Sequence, residues 1–272
     1  MTRIASACLA LVSLVMLGCA SQPIKNPDPR DPWERLNRRT YAFNDAIDRA
    51  VLKPVAKGYR KVTPRPVRTG VSNFMDNLQY PITIVNDVLQ GKLKPAASDT
   101  GRLVLNTTVG IGGIFDVASK AGLQKGDEDF GQTLGKWGVR PGPFVMLPLL
   151  GPSTVRDTFG KIPDHYTNPR FYMSHSSGTL GHDWVTYGLD AVDIIDIRSR
   201  LLETTDPTLE RVYDRYAFVR NAWLQRREYL VTDGKVSQPA NEEPLEDPEA
   251  EKGDDKSTTP GPDNAPKNPP QK

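Results

Sequence analysis

Two apolar segments, each interrupted by helix-breaking residues, constrain the fold of this chain more than any other feature of its sequence. Within Leu103–Ala118 only Asn106 and Asp116 are strongly polar, and three glycines interrupt the run. Val139–Pro152 is also largely apolar, but prolines and glycines break it repeatedly. Both segments are shorter than the ~20 apolar residues that a membrane-spanning helix needs. Irregular backbone is stable at membrane depth only where protein covers it or where it borders a wet cavity.

These segments have two interpretations. In the first, they form a pair of re-entrant elements that line a passage. In the second, Leu103–Ala118 is a glycine-rich buried helix and Val139–Pro152 is a proline-stiffened surface loop. The residues alone favour the second interpretation slightly, because the second segment can also serve as core. The sequence by itself leaves both interpretations open.

Helical patterns dominate the rest of the chain. Asp31–Glu34 places an aspartate at the N-cap, a proline at the first helical position and a glutamate at the third, which predicts a helix start. Pro54 is expected to end that helix. Further helices are predicted over Val67–Leu78, after Tyr80-Pro81 and after Asp206-Pro207, where the cap-and-proline pattern recurs. Since no window shows several alternating strands joined by hairpin turns, the sequence predicts a mainly α-helical protein.

The amino terminus has the pattern of a secretory signal peptide. A single basic residue, Arg3, precedes the apolar run Ile4–Leu17 and the small residue Gly18. The chain has two cysteines, and one of them lies inside the predicted signal peptide, residues 1–18. Cys19 therefore has no partner for an internal disulfide bond. An ordinary cleaved signal followed by a chance cysteine is the simpler alternative.

The sequence Met16-Leu17-Gly18-Cys19 resembles the lipobox of bacterial lipoproteins, with Met16 in place of the more usual leucine. The resemblance implies that Cys19 becomes the acylated amino terminus and carries a covalent lipid anchor. Ala20, rather than aspartate, follows it, which by the sorting rule for enterobacterial lipoproteins implies transfer to the outer membrane. Several acyl chains make such an anchor lasting, since each buried CH₂ contributes ~0.8 kcal/mol.

Composition divides the mature chain into a lipidated tether (19–30), a folded domain (31–230) and a tail (231–272). Asp233–Lys272 contains ten acidic and five basic residues, a net charge of −5, whereas the whole chain carries +2. The tail is rich in proline and acidic residues and nearly free of aromatic residues, so it is predicted to be disordered. An acidic docking arm is the weaker alternative.

Over most of residues 31–230 the sequence resembles the VacJ/MlaA family of outer-membrane lipoproteins. The matching strings are collinear and unusual, and they comprise Asp31–Arg38, Val71–Phe74, Asn77-Leu78, Leu89–Gly91, Arg102–Val117, Phe130–Gly135, Gly138-Val139, Gly142–Pro148, Gly151 and Val155–Asp157. The resemblance implies an all-α, ring-like bundle of amphipathic helices with re-entrant apolar segments around a central passage. The acidic tail has no counterpart in the family.

The activity that this resemblance implies is retrograde phospholipid transport, which keeps the outer leaflet free of misplaced phospholipid. It also implies a lipid-anchored protein embedded in the inner leaflet of the outer membrane at its periplasmic face. A trimeric porin would be its neighbour, and a soluble periplasmic lipid carrier would collect the cargo. A structural lipoprotein that tethers or scaffolds envelope components, without a channel, is the alternative.

Shielding lipid tails from water sets a physical requirement for the passage. A diacyl lipid has on the order of 30 methylenes, so its full exposure would cost about 25 kcal/mol at ~0.8 kcal/mol each. Asn106 and Asp116 in an apolar run, and Asn44 beside Phe43, suit an amphipathic lining, although each is as often a cap or a satisfied core group. The interrupted segments and their flank supply the other expected lining or lipid-contacting residues, Gly112, Gly113, Phe115, Gly138, Gly142, Phe144 and Met146.

Enzyme motifs are lacking in this sequence. It has neither a Gly-x-x-x-x-Gly-Lys-Ser/Thr loop nor a Gly-x-Ser-x-Gly elbow. Val109–Gly113 matches a dinucleotide loop only weakly, because Phe115 occupies the place of the last small residue. The three histidines lack metal-ligand spacing. We therefore expect a passive transporter without a metal or cofactor, whose basic residues suit anionic head groups and whose export excludes nucleic acid as a partner.

Overall fold

The computed structural model describes residues 27–175 and 183–235. They belong to a compact unit that ends at Lys235. The predicted signal peptide, Cys19 and the tail beyond residue 235 lie outside the described residues. The structure is 71% helical and contains one small two-stranded sheet, which confirms the predicted all-α class.

The described elements follow one another as a series of helices interrupted by a single hairpin. In chain order they are α1 (Glu34–Ile47), a π-helical turn (Asp48–Leu52), α2 (Lys53–Val62), α3 (Arg65–Leu89), α4 (Leu93–Thr108), α5 (Val117–Lys120), α6 (Phe130–Lys136), β1 (Phe144–Leu147), β2 (Gly151–Thr154), α7 (Val155–Thr167), α8 (Pro169–His175), α9 (Asp183–Glu210) and α10 (Arg215–Val231). The antiparallel pair α3 and α4 and the α6–α7 pair pack most extensively.

The first helical region is longer than the sequence predicts. Helix α1 passes directly into the π-helical turn and then into α2, so the expectation that Pro54 ends the helix is wrong. Pro54 lies in the first turn of α2, where a missing N–H is tolerated, and the wider π turn precedes it. The predicted helix start is shifted too, because the α-helix begins at Glu34 and Asp31 is buried rather than capping it.

Two prolines that the sequence analysis places between helices lie inside them. Pro81 lies within α3, which merges the predicted helix Val67–Leu78 with the one that follows. Pro207 lies inside α9, and the last helix, α10, instead takes Asp214 as its N-cap, whose carboxylate accepts a hydrogen bond from the backbone N–H of Ala217 at 3.1 Å. Packing of α3 along α4 on both sides of Pro81 outweighs the ~3 kcal/mol that an interior proline costs.

Most of the segment Val139–Pro152 belongs to an antiparallel hairpin that extends to Thr154, and the sequence gives no indication of its two strands. Its register places Phe144 opposite Thr154 and Leu147 opposite Gly151. Strands of four residues flanked by prolines give too short an alternation to be recognised as strands. A hairpin is compatible with the re-entrant interpretation of this segment, which stays a prediction, whereas the segment is not an irregular surface loop.

The buried apolar core lies between this hairpin, α1 and α10. It consists of Phe144, Met146 and Tyr216, with four partly buried neighbours, Tyr41, Val219, Trp223 and Leu224. The ring of Phe144 meets those of Tyr216 and Trp223 edge to face, at centroid distances of 6.3 and 6.0 Å. These contacts hold the hairpin against the helices on its inner face.

Candidate functional site

Polar and apolar side chains are distributed in the opposite way to an ordinary soluble protein. Among the described residues, 22 buried side chains are polar or charged and only nine are apolar, while 32 large hydrophobic side chains are exposed. In soluble proteins Ile, Val and Leu are most often buried, whereas Asp, Glu and Arg rarely are unless they are paired. The interior of this fold is therefore unusually polar, and its exterior combines charged side chains with many large apolar ones.

Several of the buried charges are paired between segments that are distant in sequence. Three such pairs are Arg220–Asp31 at 3.1 Å, Arg102–Asp116 at 2.9 Å and Arg170–Asp193 at 2.9 Å. A buried charge that has lost its partner is strongly destabilising. Polar pairing therefore takes over part of the task that apolar packing performs in a soluble helical bundle.

The first interrupted segment ends in an exposed apolar turn, not in a buried glycine-rich helix. Helix α4 stops at Thr108, and residues 109–115 carry four exposed apolar side chains, Val109 (62%), Ile111 (65%), Ile114 (43%) and Phe115 (57%). Ile111 has a φ of +53°, which is strained for a β-branched residue. Gly113 lies so close to Asn77 that a Cβ would be 2.5 Å from the Asn77 Cβ.

The second interrupted segment also ends in an exposed apolar tip. Leu149 and Leu150, between the two strands, are 68% and 69% exposed. Among the residues that the structure describes, no helix combines the length and the apolarity that crossing a bilayer requires. Both segments thus present apolar tips on irregular backbone rather than a spanning helix.

Two asparagines of α1 fix the edge of the hairpin. The Asn44 Nδ2 donates to the Leu147 carbonyl at 2.9 Å, and the Leu149 N–H donates to Asn44 Oδ1 at 2.8 Å. Two turns earlier, Asn37 makes the same pair of contacts, accepting from the Met146 N–H at 2.8 Å and donating to the Phe144 carbonyl at 3.0 Å. Asn44 was among the predicted lining residues and Asn37 was not, because Asn37 lies in the charged stretch Glu34–Arg39, which gave no indication of a buried amide.

A polar cavity of about 500 Å³ lies on one side of the hairpin. Side chains from α3, the 125–129 loop, α7 and α10 line it, among them Gln79, Lys125, Asp129, Lys161, Asp164 and Arg227. The Arg227 guanidinium donates to Asp129 at 2.6 Å and to Asp157 at 2.9 Å. Burial, reinforced by the charge of Asp129, raises the pKa of Asp164 to about 6, although the Phe130 N–H donates to it.

A second cavity, of about 530 Å³, has a more apolar wall. Its apolar lining comes from Ile47, Leu52, Leu149, Leu201, Leu209 and Val219. Arg49 and Arg198 are paired with the lining carboxylates Asp45, Asp48 and Asp206, and Arg215 also lines the cavity. Pro152 of the hairpin lines both cavities. The hairpin therefore separates an apolar compartment from a polar one, and Asn44 contributes to the wall of the first.

Asn106 and Asp116 belong to one polar network. Asn106 is buried, and its Oδ1 accepts from the Ala118 N–H at 2.9 Å while its Nδ2 donates to Asp116 at 3.2 Å. Burial opposes the charge of Asp116, but hydrogen bonds from Ser119 and the nearby Arg102 lower the pKa of Asp116 to about 2. Both side chains fasten the turn after α4 and line neither cavity.

The remaining predicted lining residues fall into separate places. Phe144 and Met146 are 0% and 4% exposed in the core, so the expectation that they face a lipid route is wrong in this structure. Phe115, Gly112 and Gly113 lie in the exposed turn after α4. Phe43 is 38% exposed on α1. Gly138 and Gly142 have the left-handed backbone conformation, with φ values of +91° and +68°. Within residues 27–175 and 183–235, no group of three or more His, Cys, Asp or Glu side chains could hold a metal ion.

Comparisons with known proteins agree on one family. The sequence matches the family described as MlaA lipoprotein over residues 29–230. The intermembrane phospholipid transport system lipoprotein MlaA of Escherichia coli (strain K12) is 36% identical over 241 residues, covering 86% of this chain and 91% of that relative. The protein of the same name in Haemophilus influenzae is 34% identical, covering 84% and 90%. An uncharacterised protein of Rickettsia typhi is 37% identical, covering 74% and 78%.

A solved structure extends the similarity to the fold. That chain, from work on the structural basis for maintenance of bacterial outer membrane lipid asymmetry, is 36% identical and superposes with a TM-score of 0.65. The match covers 74% of this chain and 98% of the solved one, and it confirms the predicted ring-like helical fold class. Because the family match spans most of the chain and relatives above 30% identity align over most of their own length, this chain belongs to the MlaA lipoprotein family.

Proposed function

We propose that this protein removes phospholipids from the outer leaflet of the outer membrane and passes them to a periplasmic lipid carrier. In this proposal Cys19 carries the lipid anchor and the helical domain lies in the inner leaflet at the periplasmic face. A trimeric porin stands beside it. The relatives named as intermembrane phospholipid transport lipoproteins support the substrate class.

The observation that carries the proposal is the inverted distribution of side chains. Exposed apolar side chains at the turn after α4 and at the hairpin tip favour a position among lipid tails, since each Å² of apolar surface removed from water contributes about 25 cal/mol. An apolar exterior of this kind marks an interaction with a membrane or another protein. The polar interior then supplies the hydrogen-bond donors and acceptors that the surrounding lipid tails lack.

The two cavities support an amphipathic route. The apolar cavity that contains Leu52 and Leu201 suits acyl chains, and Arg215 in its wall suits the phosphate of a head group. The polar cavity beside Pro152 suits the head group itself. A lipid that moves past the hairpin would keep its tails and its head group in matching surroundings.

Transport by this chain is passive in the proposal. The sequence has no phosphate-binding loop for a nucleotide, so the direction of movement is set by the porin and the carrier. A scaffold without a passage is the competing function, and it has no use for an apolar cavity of this size.

A charge placed in the apolar cavity distinguishes transport from scaffolding. Leu201→Glu puts a carboxylate in the apolar wall beside the route of the acyl chains, which is costly there. Val67→Glu is the matched control, because Val67 is 53% exposed on α3 and lines neither cavity. In a strain that lacks the native gene, we expect outer-leaflet phospholipid to rise with Leu201→Glu and to stay low with Val67→Glu at equal protein levels. Low phospholipid with both variants would favour the scaffold.

A further inference from the structure

A buried carboxyl pair lies behind the polar cavity, and the transport route proposed above makes no use of it. Asp87 on α3 and Asp99 on α4 are 0% and 1% exposed, and their carboxyl groups are in hydrogen-bond contact. Neither oxygen of Asp87 accepts a hydrogen bond from an N–H or O–H group of the described residues. Two carboxylates in contact in a buried site cannot both stay charged, so the pair shares one proton.

Asp99 fastens a segment that we call the strap, residues 123–129. The Gly126 N–H donates to Asp99 Oδ1 at 3.1 Å, and a Cβ at Gly126 would lie 2.1 Å from Asp99 Oδ2. The backbone of the strap therefore lies directly on this carboxylate. Residues 125–129 of the strap in turn form part of the wall of the polar cavity.

The charged groups that face the pair offer little compensation for a second negative charge. Lys92, in the turn between α3 and α4, is already paired with Glu128 of the strap at 2.9 Å. Arg102 of α4 acts on Asp99, but its guanidinium is bound to Asp116. Burial, with the charges of Asp99 and Glu128, raises the pKa of Asp87 to about 7, and Lys92 offsets this only in part.

We propose that Asp87 and Asp99 form a proton-controlled latch that holds the strap on the cavity wall while the pair is protonated and releases it when the proton leaves. In the closed state, protonated Asp87 donates to Asp99, and the Asp99 carboxylate accepts from the Gly126 N–H. Loss of the proton leaves two buried negative charges in contact. Detachment of the strap relieves this repulsion, because it admits water to Asp99.

Glu128 and Asp129 stay held by Lys92 and Arg227, and the Asp127 carbonyl accepts from Gln132. The release is therefore confined to the middle of the strap, around Gly126, where the ion pairs are exposed.

The Arg226–Asp127 ion pair is 71% and 69% exposed, and the Lys125–Asp76 pair is 50% and 33% exposed. Exposed pairs of this kind add little to stability. Lipid access to the polar cavity would thus increase as the pH rises through neutrality.

Hydrogen exchange of the strap amides tests the latch. The mature full-length protein in detergent is compared at pH values from about 5.5 to 8.5, after correction for the intrinsic pH dependence of exchange. Above the pKa of about 7 we expect the protection of the strap to fall by up to about tenfold per pH unit, since one proton is released. Peptides from α1 serve as the internal reference and should keep their protection.

Asp87→Asn is the decisive variant, because its carboxamide still donates to Asp99 but does not titrate. Its strap should keep the same protection over the whole pH range. Asp76→Asn, which removes only an exposed ion pair, should retain the pH dependence of the wild type. Constant protection in the wild type, or a pH-dependent loss in Asp87→Asn, would overturn the proposal.

A second variant keeps the test valid if Asp87→Asn folds poorly. Gly126→Ala places a Cβ against the Asp99 carboxylate and should leave the strap unprotected at pH 5.5 and 8.5 alike. A protected strap in Gly126→Ala would contradict the role of Asp99 as its anchor. Since this experiment measures strap protection and not lipid movement, it can fail independently of the transport function on which it builds.

Discussion

Asn37 and Asn44 organise the hairpin from a neighbouring helix. They lie seven residues apart and therefore on the same face of α1. Each amide accepts from one backbone N–H of the hairpin and donates to one backbone carbonyl. Backbone groups at the edge of the hairpin, which in a larger sheet would bind a third strand, are thus bound by side chains of α1.

Asn37→Ala should destabilise the fold. The Asn37 amide is buried, and its loss leaves the Met146 N–H, the Phe144 carbonyl and Asp31 without this partner. We expect the free energy of unfolding to fall by about 3 kcal/mol, because each buried polar group left unpaired costs about 1–3 kcal/mol. Urea denaturation in detergent measures the difference. Asn73→Ala, which removes one exposed hydrogen bond to the Ile114 carbonyl, should cost less than about 1 kcal/mol, and an equal loss in both variants would contradict the clamp.

At the level of secondary-structure elements, three prolines do not end the helices that the sequence predicts them to end. Pro54, Pro81 and Pro207 all lie inside helical stretches. Pro54 follows a π-helical turn, and Pro81 lies in a helix that packs along α4. Tertiary packing has therefore outweighed the local preference to end a helix at proline.

Pro81→Ala should stabilise α3. Alanine restores the N–H that can donate to the Asn77 carbonyl one turn earlier, and the gain exceeds the entropy that proline removes from the unfolded chain. We expect the free energy of unfolding to rise by about 1–2 kcal/mol. Pro95→Ala, in the first turn of α4, is the control and should bring no gain. Thermal denaturation of both variants measures the change in stability. An equal increase in stability for Pro95→Ala and Pro81→Ala would show that the position of the proline within the helix does not matter.

The existence of α1, α3 and α10 could be predicted from the sequence, because amphipathic periodicity indicates a helix, whereas the shorter helices between α4 and α9 could not. The hairpin could not, since four-residue strands beside prolines give no recognisable alternation. Candidate residues followed the same division. Asn44 could be predicted because it is a polar residue beside the apolar Phe43. Phe144 and Met146 are apolar, which is equally expected of residues that face lipid and of residues in a core, and only the fold shows that they lie in the core.

On the scale of the whole molecule, the polar interior is the property that sequence reasoning could least recover. Arg220 reads as the outer face of an amphipathic helix, yet it is buried against Asp31. A hydrophobic stripe in the sequence indicates that a helix has an apolar and a polar face, but it does not indicate which of these two faces packs against the rest of the protein. That assignment depends on the surroundings of the molecule, which sequence periodicity does not contain.

Removal of the tail beyond Lys235 should leave function unchanged. Its composition cannot build a core, whereas the residues just before it make contacts. Asp233 pairs with Lys92 and, at 2.7 Å, with Lys136. Truncation after Lys235 should keep outer-membrane resistance to detergent at the wild-type level, and truncation after Val231, which removes these ion pairs, serves as the comparison. A strain truncated after Lys235 that is as leaky as a full deletion would make the tail an essential docking arm.

The inverted distribution of side chains has a calorimetric consequence. Unfolding normally raises the heat capacity because it exposes apolar groups, by about 12–15 cal/mol/K per residue, whereas exposure of polar groups lowers it. In this fold many large apolar side chains are already exposed, and most of the buried side chains that unfolding would expose are polar or charged. The stability of the protein should therefore change with temperature along a flatter curve than that of a soluble bundle of its size, with cold denaturation displaced to lower temperature.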